Sequence, residues 1–224
     1  LNEDAFLDKP ESGLWVVADG MGGHKAGDLA SSLIVTTLAE TQVTGSLSEA
    51  TQVITESLNK INSELVNTAR EREQSIIGST VVILLVRENR FACIWAGDSR
   101  LYRLRMGIFE QITRDHSEVQ NLIDYGIIKK ADSENHPSAN VITRAVGALE
   151  GWELDIVNDD ILAGDKFLLC SDGLYRDLTE REMAQSMQFD GQPNAIVANL
   201  IDLAMTRSAK DNITAVAINF SSGC

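Results

Sequence analysis

The sequence predicts an α+β fold. Two stretches with helical spacing come early, short strand-like segments fill the middle, and two more helices and a final strand follow. That order is not a regular βαβ alternation, and paired sheets flanked by helices satisfy it.

The first strand is expected over 14–18, running into the glycine-rich loop Asp19-Gly20-Met21-Gly22-Gly23. Beyond it Ala30, Leu33, Ile34, Thr37 and Leu38 recur at helical spacing, with Asp28 suited to that helix's N-terminus. A second long helix is expected after Ser48. Ala50, Val53, Ile54, Leu58, Ile61, Leu65 and Ala69 line one of its faces, and Glu56, Lys60, Glu64 and Arg70 face water. The period then changes to strands over 80–86, 91–96 and 101–104, with turns at Asn89 and at Gly97-Asp98-Ser99. A short helix over 117–125 closes at Gly126, a residue suited to the left-handed position after a helix. The polar stretch 129–140, with Pro137, reads as surface loop, so 117–140 forms a flap. Strands resume over 141–146 and 166–171. Thr179-Glu180-Arg181-Glu182 is a capping box that opens a helix. Pro193 starts another running to Ala209, and a strand over 213–220 ends the pattern. No repeat, low-complexity tract or linker divides the sequence, so one domain is expected over 1–224.

A composition 44% hydrophobic and 23% charged, over 224 residues, is enough for a substantial core. Acids outnumber bases 33 to 19, a net charge of −14, which excludes a basic stripe for nucleic acid. No run of about 20 apolar residues could cross a bilayer. The opening Leu1-Asn2-Glu3-Asp4 has neither the basic nor the apolar region of a secretory leader, so none is expected. Cys93, Cys170 and Cys224 are odd in number and widely spaced, with no CxxC and no Cys/His cluster. A reduced, zinc-free protein in the cytoplasm, monomeric and away from membranes, is the expectation.

One feature recurs along the chain: an apolar strand runs directly into an acid beside a small residue. Asp19-Gly20, Gly97-Asp98 and Asp172-Gly173 end strands, and Asp211-Asn212 stands just before the last one. Asn2-Glu3-Asp4 and Thr113-Arg114-Asp115-His116 add further acids beside short strands. Any one of these alone is an ordinary turn. Brought to one sheet edge, several carboxylates repel one another unless cations neutralise them. Every candidate ligand is an oxygen, which points to Mg²⁺ or Mn²⁺, and no EF-hand loop suggests Ca²⁺. Glycine beside the acids lets backbone carbonyls and substrate approach closely.

Taken in order, Asn2-Glu3-Asp4, Asp19-Gly20-Met21-Gly22-Gly23-His24, Gly97-Asp98-Ser99-Arg100, Thr113-Arg114-Asp115-His116, Ser171-Asp172-Gly173-Leu174 and Asp211-Asn212-Ile213-Thr214 resemble the metal-dependent protein phosphatases of the PPM (type 2C) family, in their bacterial form. The resemblance covers nearly the whole chain. It implies a four-layer α/β/β/α sandwich, two central antiparallel sheets flanked by helix pairs. It also implies that Asp19 bridges two central ions, the Gly20 carbonyl binds one of them, and Asp172 and Asp211 complete the other's shell. Glu3 and Asp4 would hold ion-bound waters, and Asp115 with Asp172 a third ion. Asp98 would orient waters or backbone.

The implied reaction is hydrolysis of phosphoserine or phosphothreonine in proteins by in-line attack of an ion-bridging hydroxide, opposing a Ser/Thr kinase. Some family members are thought to use a histidine as general acid where this chain has Met21, so an ion-bound water is expected to take that role. His24, beside the glycine loop, is a candidate for substrate contact. Arg100 and Arg144 are expected to form structural ion pairs. The family's phosphate-binding Arg lies upstream of Asn2-Glu3-Asp4, so that Arg and a preceding strand are expected before Leu1. Two other readings are a catalytically silent, partner-binding module of the same fold and a hydrolase of small phosphoesters. The first is disfavoured because Asp19, Asp172 and Asp211 are all retained.

Overall fold

The computed structural model describes residues 2–22, 26–73, 76–133, 136–207 and 211–220. Two antiparallel sheets stack at its centre. In the first, β1 (Asp4–Lys9), β2 (Leu14–Met21), β4 (Val81–Arg87), β5 (Arg90–Ala96) and β8 (Asp155–Asp160) lie side by side in that order, and the two-residue β3 (Gly78–Ser79) pairs with the end of β2. In the second the order is β10 (Ala215–Asn219), β9 (Lys166–Cys170), β6 (Arg100–Arg105) and β7 (Ile108–Gln111).

The strands read as continuous apolar runs because both of their faces are covered. In β2, β4 and β5, Trp15, Val17, Val82, Leu84, Phe91, Cys93 and Trp95 point to the second sheet, where they meet Phe167 and Leu169 of β9 and Val216 and Ile218 of β10. The rings of Phe91 and Phe167 meet edge to face across this layer at 5.0 Å. The alternate residues, among them Leu14, Val16, Val81, Ile83 and Ile94, pack outward on α1 (Ala26–Glu40) and α2 (Leu47–Glu71). Along α2 the buried stripe is Ala50, Ile54, Leu58, Ile61, Leu65 and Ala69, as its spacing predicts, each large aliphatic contributing about 1.5–3 kcal/mol. On the other side Leu168 and Cys170 face α5 (Glu180–Gln188) and α6 (Pro193–Met205) through Met183, Met187, Ile196 and Leu200. The result is the α/β/β/α sandwich. Buried Cys93 and Cys170 are free thiols, and burial pushes the Cys170 thiol up to about 12; Cys224 lies outside the described residues.

Several boundaries differ from the sequence expectation, each for a local reason. β2 continues three residues past Ala18, because Gly20 and Met21 find partners in Ser79 and Gly78. Ahead of it β1 is a strand that sequence pattern did not show, an edge strand with charged residues and only half-buried ones facing α1. The acid-rich β8 was equally hidden, and it too is an edge, where charge discourages further pairing. α2 starts two residues earlier than expected, at a Ser46/Glu49 capping box. The flap begins with α3 (Glu118–Asp124), capped by Ser117, and Gly126 after it has a φ of +68°, the left-handed position expected of it. No ladder forms over 141–146. Ile142 and Val146 make single bridges to Ser117 and Ser79, and Thr143 N donates to the His116 carbonyl. α6 ends at Met205, and the expected terminus at Ala209 lies outside the described residues.

A buried asparagine on α2 anchors the 141–149 loop. Asn62 Oδ1 accepts from Gly147 N at 2.7 Å and its Nδ2 donates to the Leu149 carbonyl at 3.0 Å. The loop in turn pairs Val146 with Ser79, which supports the end of β2. Asn62→Ala strands the buried Gly147 amide and is expected to cost about 1–3 kcal/mol in urea unfolding, with an unchanged slope. A loss below about 0.5 kcal/mol would contradict this anchoring role.

Candidate metal centre

Asp19 lies within β2 rather than in the loop after it. Its amide donates to Thr80 Oγ1 at 3.1 Å, and its carbonyl accepts from Ser79 Oγ at 3.0 Å and Thr80 N at 2.8 Å. The next residue must be glycine: a Cβ on Gly20 would stand 2.1 Å from the Gly27 carbonyl oxygen, and one on Gly27 would stand 2.7 Å from the Gly20 carbonyl carbon. Only this glycine pair lets the start of α1 rest on the strand beside Asp19.

Asp4 is directly opposite Asp19 in the β1–β2 register. Ser171 Oγ and Thr214 Oγ1 donate to its Oδ2 at 2.8 and 2.7 Å. Glu3 N donates to Asn212 Oδ1 at 2.8 Å, and the Glu3 carbonyl accepts from Gly20 N at 3.0 Å and Ser31 Oγ at 2.6 Å. The first and last acidic motifs, 209 residues apart at this bond, are therefore stitched together across the two sheets. Asp172 opens the single-turn α4 (Asp172–Tyr175) at the end of β9. A Cβ at Gly173 would meet the Asn212 carbonyl oxygen at 2.0 Å, so this glycine lets α4 sit against the segment that carries Asp211.

The carboxyls feel one another. Burial, then the charges of Asp4, Asp172, Asp98 and Asp211, pushes Asp19 up to about 9. Burial, then Asp172 and Asp115, pushes Asp98 up to about 7 against the pull of Arg176 and Arg100. Asp4 and Asp172 are also raised, first by burial. Buried oxygens of three acids, Glu3 Oε1, Asp98 Oδ1 and Asp172 Oδ1, have no hydrogen-bond partner. Among the described residues no three His, Cys, Asp or Glu side chains close tightly enough around one point to hold an ion by themselves. An all-oxygen set with orphaned carboxylate oxygens and a close backbone carbonyl still suits Mg²⁺ or Mn²⁺, which need only one or two carboxylates and keep several waters.

Asp19, the Gly20 backbone, Asp172, Asp4 and Glu3 thus converge. Asp211 stands exposed at the rim, near enough to raise Asp4, Asp19 and Asp172. Asp115 is engaged elsewhere. Arg100 Nε donates to its two oxygens at 3.0 and 3.2 Å, Arg100 Nη2 at 2.6 Å, and Gln111 Nε2 at 2.8 Å. Arg144 pairs with Asp155 at 2.8 Å, so both arginines form the expected ion pairs. His116 is structural: its Nδ1 accepts from Gly97 N at 3.2 Å, its Nε2 meets Asp155 Oδ2 at 3.1 Å, and its ring stacks on Trp95. His24 lies outside the described residues. Sequence reasoning missed Arg176, which sits 2.9 Å from Asp172; the four-residue spacing from an acid that opens a helix was the available signal. It also missed Asn212, Ser171 and Thr214 as struts. A cavity of about 630 Å³ opens beside Asp98 and Arg176, between Asn140 and Lys130 of the flap and Tyr175 and Met183 of the helical side.

Asp19 keeps its proton in the folded chain where the unfolded chain has released it. The stability carried by that proton is full below about 3.8 and lost as pH rises through about 9. The metal-free protein should therefore become less stable between these values. Asp19→Asn should flatten that fall and raise the thermal midpoint at pH 8 by several degrees; a lowered midpoint there would contradict the repulsion described.

A family model described as protein phosphatase 2C matches residues 1–194. The chain is 33% identical to the serine/threonine phosphatase stp of Listeria innocua over 97% of its own length and 89% of that protein's. Its fold superposes with a TM-score of 0.91 on the structure of PppA, described as a key regulatory component of T6SS in Pseudomonas aeruginosa, at 48% identity over 98% of this chain and 92% of that one. The catalytic domain of the serine/threonine phosphatase PstP, solved with two manganese ions, gives a TM-score of 0.85 at 30% identity over 99% and 93% of the two chains. The acidic sheet edge, the four-layer fold and these matches agree, and the chain belongs to the protein phosphatase 2C family as a bacterial-type serine/threonine phosphatase.

Proposed function

We propose that this chain hydrolyses phosphoserine and phosphothreonine in protein substrates with Mg²⁺ or Mn²⁺, in opposition to a Ser/Thr kinase. The observation that carries the reading is the convergence of Asp4, Asp19, Asp98 and Asp172 at one end of the sheet pair, with partnerless oxygens on two of them and on Glu3. Asp19, the Gly20 carbonyl, Asp172 and Asp211 would hold the ions, and Glu3 and Asp4 would orient water around them. When bound, two divalent ions supply the charge that makes water a nucleophile at neutral pH and that neutralises the phosphate's approach to an acidic protein.

The chain's own residues set the rest. Ser171 and Thr214 fix one Asp4 oxygen, which holds its carboxyl beside Asp19. The Ser79 and Thr80 clamp fixes the Asp19 backbone, so its carboxyl is placed by the sheet rather than by a loop. Arg176 faces the cavity beside Asp98, where a phosphorylated segment held under the flap would reach the acids. Of the described histidines, His116 has both ring nitrogens bonded and His136, in the flap, does not line the cavity beside Asp98, while position 21 is methionine. Water is left as the proton source.

p-Nitrophenyl phosphate and a phosphothreonine peptide, assayed with Mn²⁺ and then with EDTA, test this reading. Both activities should require the ion, and metal-independent turnover would refute it. Asp172→Asn should lose most activity while still unfolding in urea as a single cooperative transition; wild-type turnover would remove Asp172 from the site. Thr214→Val, which takes one of the two donors from Asp4, should weaken Mn²⁺ affinity about 10–100-fold, and unchanged affinity would argue against a positioning role for Asp4.

A further inference from the structure

Family resemblance puts a third ion between Asp115 and Asp172, yet each of these carboxylates already has a cation of the chain's own. We propose that two arginines, Arg100 on Asp115 and Arg176 on Asp172 and Asp98, fill the outer cation position of this site, so that the chain binds two divalent ions and not three. The inference rests on the two-ion reading above.

Arg100 is held on several sides. Its Nε and Nη2 grip both Asp115 oxygens at 2.6 to 3.2 Å, its Nη1 donates to Tyr102 Oη at 2.9 Å, and its guanidinium lies 3.5 Å over the Tyr175 ring. A planar, bidentate and stacked guanidinium is the arrangement in which arginine is hardest to displace. Gln111 adds a further donor to Asp115 at 2.8 Å, so that carboxylate would have to shed its contacts with two side chains to face an ion.

Arg176 does the same at the other carboxylate. Its Nη2 is 2.9 Å from Asp172 Oδ2 and 3.7 Å from Asp98 Oδ2, and its Nη1 donates to Asn140 Oδ1 at the end of the flap. The side chains of Asp172 and Asp98 are only 12% and 4% exposed, so this pairing is little screened by water. A tethered guanidinium four residues away is also present at a high effective concentration, which a free ion of modest affinity has to overcome. Asp172 Oδ1 remains without a partner and is the oxygen available to the two inner ions. The arrangement therefore divides Asp172, one oxygen inward and one toward Arg176.

Counting bound Mn²⁺ on the metal-stripped full chain, by calorimetric titration and by the EPR signal of the free ion, tests this directly. The wild type should bind about two ions per chain. Asp115→Asn should bind the same number, and Arg176→Gln should gain one as Asp172 and Asp98 are released. A wild-type count of three that drops to two in Asp115→Asn overturns the proposal, and so does an Arg176→Gln count that stays at two. A wild-type count of none would instead defeat the two-ion reading beneath it. Asp115→Asn and Arg176→Gln are independent tests, so poor folding of either leaves the other to decide.

Discussion

Asp19 lies among Asp4, Asp98 and Asp172 at one edge of the sheet pair, where burial and mutual repulsion raise all of them above the usual carboxylate range. Folding has to hold these groups together against that repulsion, and much of the surrounding structure serves this end. The β1–β2 register places Asp4 on Asp19. Hydroxyls of Ser171 and Thr214 reach across from the second sheet to Asp4, and Asn212 reaches back to Glu3. Because the acids come from both sheets, the layer of Trp15, Phe91, Phe167 and their neighbours between the sheets sets the distance from which they act. A loosened interior would thus be felt at the site without any change in the acids.

Periodicity in the sequence was enough for the buried elements. The central strands and the α2 stripe appear where apolar spacing puts them, because burial on both faces or on one stripe leaves a strong pattern. Two of the edge strands, β1 and β8, left none: they are half-exposed and charged, and pattern reading passed over both. The extension of β2 through Asp19 depended on partners at Gly78 and Ser79 that lie about sixty residues away, beyond the reach of any local signal. The same holds for the site. Strand-end acids beside glycines showed which carboxylates to watch, and motif order showed the family. What each acid touches was not legible, since the engagement of Asp115 by Arg100 and of Asp172 by Arg176 is set by tertiary contact.

A net charge of −14 repels a phosphorylated substrate, but the charge is not spread evenly in its effect. Arg176, Lys130 and Arg100 line the cavity together with Asp98. Bound divalent ions would turn the acidic edge itself into the most positive part of the surface. The same carboxylates that destabilise the ion-free fold then become what draws the phosphate in, so the structural cost and the chemical use have one origin.

Anomalous diffraction at the manganese edge, from crystals grown with Mn²⁺, tests the central claim most directly. Ions are expected in contact with Asp19, the Gly20 carbonyl and Asp172, with Asp115 still held by Arg100. Ions located away from Asp19, or an ion bridging Asp115 and Asp172 with both arginines turned aside, would contradict it.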